Sequence, residues 1–127
     1  MVTVSQVMTR GVLALRSDVA LREAVDYLAT QHISGAAVLD PRHRLAGVIT
    51  TSDILQAESE GQDLDATTVD EVMTPTTLTV APETDLKEAA LTMEYADVHR
   101  LFVEQGGSLV GVISRSDVNR ALASGLI

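Results

Sequence analysis

The chain has 127 residues, no cysteine, a formal net charge of -9, 46% hydrophobic residues and only 2% aromatic ones. The missing cysteines exclude disulfide frameworks, thiolate chemistry and cysteine-based metal sites, and the acidic balance argues against nucleic acid or an anionic membrane, which recruit cationic proteins. A core must come from Val, Leu, Ile and Ala, and a unit of about 60 residues is marginal alone, so two halves that share a core are expected.

Thr3 and Gln6 stand at capping-box spacing, and Thr68 and Glu71 repeat the pattern 65 residues later. Both open a short helix ending in Val-Met-Thr, at residues 7–9 and 72–74. A loop at Gly11 or Pro75 leads into a short extended run, Val12 to Leu15 or Thr77 to Val80, the candidate first strands. An amphipathic helix follows in each half: Leu21, Ala24, Val25 and Leu28 fall at i, i+3, i+4 and i+7, and Leu86, Ala89, Ala90 and Met93 repeat that spacing. The second copy opens on a capping box, Asp85 to Glu88, whereas the first has Ala20 at the cap and is expected to fray. Hairpins come next: Ala36 to Leu39 and Leu45 to Ile49 around Asp40-Pro41-Arg42-His43, then Leu101 to Val103 and Leu109 to Ile113 around Gln105-Gly106-Gly107-Ser108. The second turn is one residue shorter, so the repeat offset falls from 65 to 64 there, where a duplicated fold tolerates a deletion. A helix to about Glu58 precedes an acidic stretch, Glu58 to Asp65, read as a solvated connection. The matching last helix runs from Ser116 to about Ala123. The repeats are 1–61 and 62–127, an α/β (α+β) pattern of helix, strand, helix, strand, strand, helix in each. No run approaches the ~20 apolar residues of a membrane span, and no cationic start precedes an apolar h-region, so a cytoplasmic protein is expected.

The most telling repeat is Gly-Val-Ile-Thr-Thr-Ser-Asp at 47–53, which returns as Gly-Val-Ile-Ser-Arg-Ser-Asp at 111–117. Thr50 and Ser114 sit at a plausible N-cap, with Asp53 and Asp117 in the first turn. That arrangement is read either as a helix cap alone or as a ligand site, because free N–H groups at a helix start suit a phosphate and a carboxylate accepts both hydroxyls of a ribose. The halves differ around it: Ser34, Gly35 and Thr51 become His99, Arg100 and Arg115. These cations are read as ordinary surface charge or as the local positive field an anionic ligand needs in so acidic a chain. His32, His43 and His99 lack metal-ligand spacing, and Ser52 and Ser116 lie in no nucleophile elbow, so neither a metal site nor catalysis is expected.

The Gly, two apolar residues, Thr or Ser, two variable residues and Asp resemble the ligand-binding signature of cystathionine-β-synthase (CBS) domains, and the resemblance covers nearly the whole chain in two copies. It implies two βαββα repeats, each preceded by a short helix, packed about a pseudo-two-fold axis with clefts for AMP, ADP, ATP or S-adenosylmethionine. Asp53 and Asp117 would then accept ribose hydroxyls, and Thr50 and Ser114 would lie near phosphate or ribose. The apolar base pocket would be drawn from Val12, Leu13 and the residues to Leu15 with Ala36, and from Thr77 and Leu78 with Leu101. Two departures concern this signature: Thr77 and Thr79 are polar where Val12 and Ala14 are apolar, and the first half lacks cations near phosphate. The resemblance also implies a free-standing regulatory, energy-sensing module without enzymatic activity, a homodimer built through its helices, and an unidentified protein partner. A second reading is a structural scaffold with degenerate ligand sites, and a third, ranked last, is an enzyme acting on nucleotides.

Overall fold

Each half is built on a hairpin of β-branched and small residues with amphipathic helices laid over it. The computed structural model describes residues 1–75 and 78–127. In chain order the elements are α1 (Val4–Val7), β1 (Ala14–Arg16), α2 (Leu21–Gln31), β2 (Gly35–Leu39), β3 (Leu45–Thr50) and α3 (Thr51–Ser59). They continue with α4 (Val69–Val72), β4 (Thr74–Pro75), β5 (Thr79–Val80), α5 (Leu86–Ala96), β6 (Arg100–Gln105), β7 (Ser108–Ser114) and α6 (Arg115–Ala123). The expected mixed α/β order is therefore observed, with β4 as an addition. The first strands begin later than expected, at Ala14 and Thr79; Thr77 lies outside the described residues.

The chain forms two compact units. A continuous unit, Leu13–Thr77, carries a sheet in the order β1-β2-β3-β4, with β1 parallel to β2 and the other pairs antiparallel. A two-segment unit, Met1–Val12 with Leu78–Ile127, carries the order β5-β6-β7, again parallel then antiparallel. The core of the continuous unit joins Leu21, Ala24 and Leu28 of α2 to Val38, Ile49, Ile54 and Val69. That of the other unit joins Leu86, Ala89 and Met93 of α5 to Leu101, Val103, Ile113 and Val4. The helical spacing read from the sequence thus marks the buried faces of α2 and α5.

The units differ from the sequence repeats in where the short opening helices go. α1 lies in the unit of the second hairpin and α4 in the unit of the first. Their N-terminal N–H groups have no partners within the helix and are met by carbonyls of the receiving unit: Val4 and Ser5 donate to Thr84 and Pro82, at 2.9 Å each, and Val69 and Asp70 donate to Val19 and Ser17, at 2.9 Å each. The exchange also corrects two expectations. Ala20 gives α2 no side-chain cap, yet Leu21 and Arg22 donate to the carbonyls of Thr67 and Leu64 at 2.9 Å each, so the main chain supplies what Ala20 lacks. The connection after α3 is accordingly more than solvated chain, because Leu64 packs on the core and Thr67 is buried. The capping boxes divide as well. At α1 the Thr3 N–H donates to Gln6 Oε1 at 2.7 Å, whereas the Thr68 hydroxyl turns to Asp70 and the Asp85 carboxylate accepts from Lys87 N at 2.9 Å instead of reaching Glu88.

This crossing also explains the glycine that opens the repeated motif. A Cβ on Gly47 would stand 2.5 Å from the Thr74 carbonyl oxygen and 2.9 Å from Met73 Sδ; one on Gly111 would stand 2.6 Å from Met8 Sδ and 3.0 Å from the Thr9 carbonyl oxygen. The Val-Met-Thr and Gly-Val-Ile repeats meet here, each Met-Thr lying across the other pattern's glycine. Pro75 and Thr74 pair with Gly47 and Val48, and Thr9 exchanges backbone bonds of 2.9 and 3.0 Å with Val112.

Candidate ligand site at the strand-to-helix turns

In each unit the last hairpin strand passes directly into a helix, and extended backbone at the junction (φ -124° at Thr50, -122° at Ser114) turns the hydroxyl toward the new helix. Thr50 Oγ1 accepts from Asp53 N at 3.1 Å while Asp53 Oδ2 accepts from Thr50 N at 3.0 Å. Ser114 and Asp117 repeat this at 3.2 and 2.8 Å, and the Ser114 hydroxyl also donates to Asp117 Oδ2 at 2.9 Å. Both motifs are complete reciprocal caps. Their carboxylates differ in setting: Asp53 is half-buried, but Asp117 is 5% exposed and its Oδ1 accepts from the Arg120 guanidinium.

Cross-strand pairing places Arg100 opposite Ser114 and Gly35 opposite Thr50. A Cβ on Gly35 would lie 3.3 Å from the Thr50 methyl. The bulkier hydroxyl residue therefore faces glycine, and the smaller one faces arginine. Arg100 and His99 are exposed, and the His99 carbonyl accepts from Arg115 N at 3.0 Å. The Arg115 side chain goes elsewhere. Its Nε donates to the Val98 carbonyl at 3.0 Å and its Nη2 to Met93 at 3.4 Å, with Glu94 and Asp97 carboxylates at 3.9 Å. It thus covers the C-terminus of α5, where a cation is favoured by the helix dipole.

Of the apolar positions, Leu101 and Ala36 are buried core residues, registered against Ile113 and Ile49. Val12 is half-buried in the two-segment unit, while Leu13 is exposed in the continuous one, its carbonyl accepting from Ala37 N at 3.3 Å. Leu78 is exposed and Thr77 is outside the described residues. The structure thus gathers Ser114, Asp117, Arg100, His99 and Leu101 around one turn and Thr50, Asp53 and Ala36 around the other.

Each carboxylate also borders a pocket within its own unit. Asp117, Arg120, Ala121, Ser124, Leu126 and Val7 line one of about 590 Å³, and the matching Asp53, Gln56, Ala57, Glu60, Gln62 and Val72, with Glu71, line one of about 190 Å³. The larger lies in the size range of small-molecule sites. Its wall carries a guanidinium where the smaller has Gln56, and the smaller adds the carboxylates of Glu60 and Glu71. Arg120 is the residue that the sequence reading left out. Its signal was available: three positions after the motif aspartate, one copy has Gln and the other Arg, at the i,i+3 spacing of a helical ion pair. Among the described residues no three His, Asp or Glu side chains converge as a metal-ligand set, and no helix is long and apolar enough to cross a membrane.

A duplicated α/β architecture, in which each hairpin ends on a hydroxyl that caps a helix bearing an aspartate in its first turn, defines a paired-repeat module. The chain belongs to the CBS domain family, whose sequence model matches residues 4–60 and 69–124. It spans 43% and 22% of the length of two curated relatives, the second being the inosine-5'-monophosphate dehydrogenase of Nitrosopumilus maritimus, which is 31% identical over 88% of this chain. Among solved structures, CBSX2 in complex with AMP is 25% identical, with each chain covered completely and a TM-score of 0.82. The CBS domain pair of protein MJ0100, in complex with 5-methylthioadenosine and S-adenosyl-L-methionine, shares the fold at 21% identity, with 98% of each chain covered and a TM-score of 0.80.

Proposed function

We propose that the chain is a regulatory module that binds an adenosine-containing ligand at the Ser114–Asp117 helix start and passes its occupancy to a protein partner. The observation that carries this reading is the association of a hydroxyl and a carboxylate at that turn with the exposed Arg100 directly across the ladder. A ribose supplies hydroxyl donors for the carboxylate, and a phosphate finds cations in a chain that otherwise repels anions. The AMP complex of CBSX2 and the S-adenosylmethionine complex of MJ0100 support the ligand class. Calorimetric titration with AMP, ADP, ATP and S-adenosylmethionine tests it. Asp117→Ala is expected to lose affinity by about 1 to 3 kcal/mol, the range for hydrogen bonds to charged groups, and Asp53→Ala to lose less. The site assignment fails if Asp53→Ala abolishes binding while Asp117→Ala leaves it intact.

A scaffold with degenerate sites is favoured by one observation: Asp117 already has partners on both oxygens, and the Ser114 hydroxyl already donates to it. If no adenosine compound binds the wild-type chain at millimolar concentration, the scaffold reading replaces the regulatory one. In either reading we expect a cytoplasmic homodimer. The exposed Leu91 and Tyr95, one turn apart on α5, and Leu122 on α6 support association through helices. Light scattering that finds only a monomer of 13.5 kDa refutes it.

A further inference from the structure

We infer that Arg120 is a positioning and specificity residue of the proposed site, which holds Asp117 while the site is empty and exchanges that carboxylate for the phosphate of an incoming nucleotide. The inference rests on the functional reading above and adds to it how phosphate-bearing and phosphate-free ligands are told apart.

Two copies of one motif carry the argument. A ribose diol donates two hydrogen bonds, and a carboxylate takes them on free lone pairs. In the continuous unit Asp53 Oδ2 accepts from Thr50 N, and Oδ1 has no partner among the described residues. The residue three positions on is Gln56, whose amide donates to Glu60 at 3.3 Å and leaves Asp53 alone. In the two-segment unit every equivalent group is engaged: Asp117 Oδ2 takes both the N–H and the hydroxyl of Ser114, and Oδ1 takes the Arg120 guanidinium. With three of its roughly four lone-pair sites taken, Asp117 cannot receive both donors of a diol without releasing a partner, and the exposed Arg120 is the partner with room to leave.

The displaced group has somewhere to go. Arg120 is 71% exposed while its carboxylate partner is 5% exposed, so the guanidinium is the mobile member of the pair. Both line the same pocket of about 590 Å³. A guanidinium binds phosphate as well as carboxylate, so a nucleotide replaces the bond that its ribose breaks. A nucleoside offers no such replacement and binds against the intact pair.

The test uses the full chain with Asp53→Asn, which confines carboxylate-dependent binding to Asp117, and compares adenosine with AMP by calorimetry. Adding Arg120→Gln, which copies the Gln56 arrangement, is expected to tighten adenosine by about three- to tenfold, the scale of losing a partly exposed charged pair. The same change is expected to weaken AMP at least about threefold, because the phosphate loses its guanidinium. Arg120→Lys, which keeps the charge, should restore the preference for AMP in part, and on an Asp117→Asn background Arg120→Gln should no longer tighten adenosine. Equal changes for both ligands, or none, overturn the exchange role while leaving the functional reading intact. Failure of adenosine and AMP to bind any of these proteins or the wild type overturns both.

Discussion

Replacing the two motif glycines by alanine separates a role in chain crossing from one in ligand contact, and the two positions are expected to respond unequally. At Gly47 the added methyl meets a main-chain oxygen, Thr74 O at 2.5 Å, which belongs to β4 and is fixed by its pairing with β3. At Gly111 the nearest atom is the sulfur of Met8, at 2.6 Å, on a flexible side chain, and the backbone oxygen of Thr9 stands at a less severe 3.0 Å. Overpacking of this kind costs about 1 to 3 kcal/mol, and replacing glycine in a strand returns about 0.5 to 1 kcal/mol of chain entropy. The net expectation is a loss of about 2 kcal/mol for Gly47→Ala and less than about 1 kcal/mol for Gly111→Ala. Urea unfolding measures both by linear extrapolation, and Tm should fall by roughly 3 to 6 °C per kcal/mol in a chain of this size. Met8→Ala combined with Gly111→Ala should cost less than the sum of the single changes, because the methyl then enters the space the thioether left. Equal losses at the two glycines, or an additive Met8 cycle, would refute the crossing argument.

Arg115→Ala should destabilise by about 1 to 2 kcal/mol through the lost cover of the α5 C-terminus, with faster amide exchange in the last turn of α5; unchanged exchange there would mean that its carbonyl contacts contribute nothing. Asp40 makes a prediction in pH. The Arg44 N–H, then the Arg42 N–H and the Arg44 guanidinium, hold its carboxyl below the ordinary 3.8 against partial desolvation, so its contribution to the turn is present above the unfolded value and lost as pH falls through the lowered folded one. Carboxyl NMR should give an Asp40 midpoint below 3.8, and one at or above it contradicts the turn geometry. Finally, a fragment of residues 13–77 should melt more cooperatively than 1–61, since the shorter fragment loses the fully buried Val69, worth about 1.5 to 3 kcal/mol, and the carbonyls that cap α2; equal melting would dismiss the exchanged helices as a source of stability.

Much of the fold was legible because duplication repeats its constraints. The stripes of α2 and α5, the one-residue difference between the hairpin turns and the Thr50 and Ser114 caps are local patterns, and local patterns survive in a single sequence. The exchange of α1 and α4 was not legible. Thr3 and Gln6 mark where α1 starts, but nothing in four residues states which carbonyls its first N–H groups will meet. Those are Thr84 and Pro82, some 80 positions away. Ala20 was misjudged for the same reason: side-chain caps can be read in sequence and main-chain caps cannot.

The site repeats this division between residue type and direction. The charge of Arg115 was visible, and so was its place one residue after the Ser114 cap, but the direction of its side chain is set by the carbonyls of Met93 and Val98 at the end of α5. Arg100 was assigned by the same comparison of halves and does lie across from Ser114, because ladder register is a short-range property that the motif itself fixes. Arg120 stands one helical turn past the motif aspartate, where the copies differ as Gln56 and Arg120, and only the folded helix shows which of the two reaches the carboxylate. In these two copies the residue three positions along the helix decides whether the carboxylate's Oδ1 is open or held, as Gln56 and Arg120 show, so at the proposed site that residue sets what a ligand would have to displace.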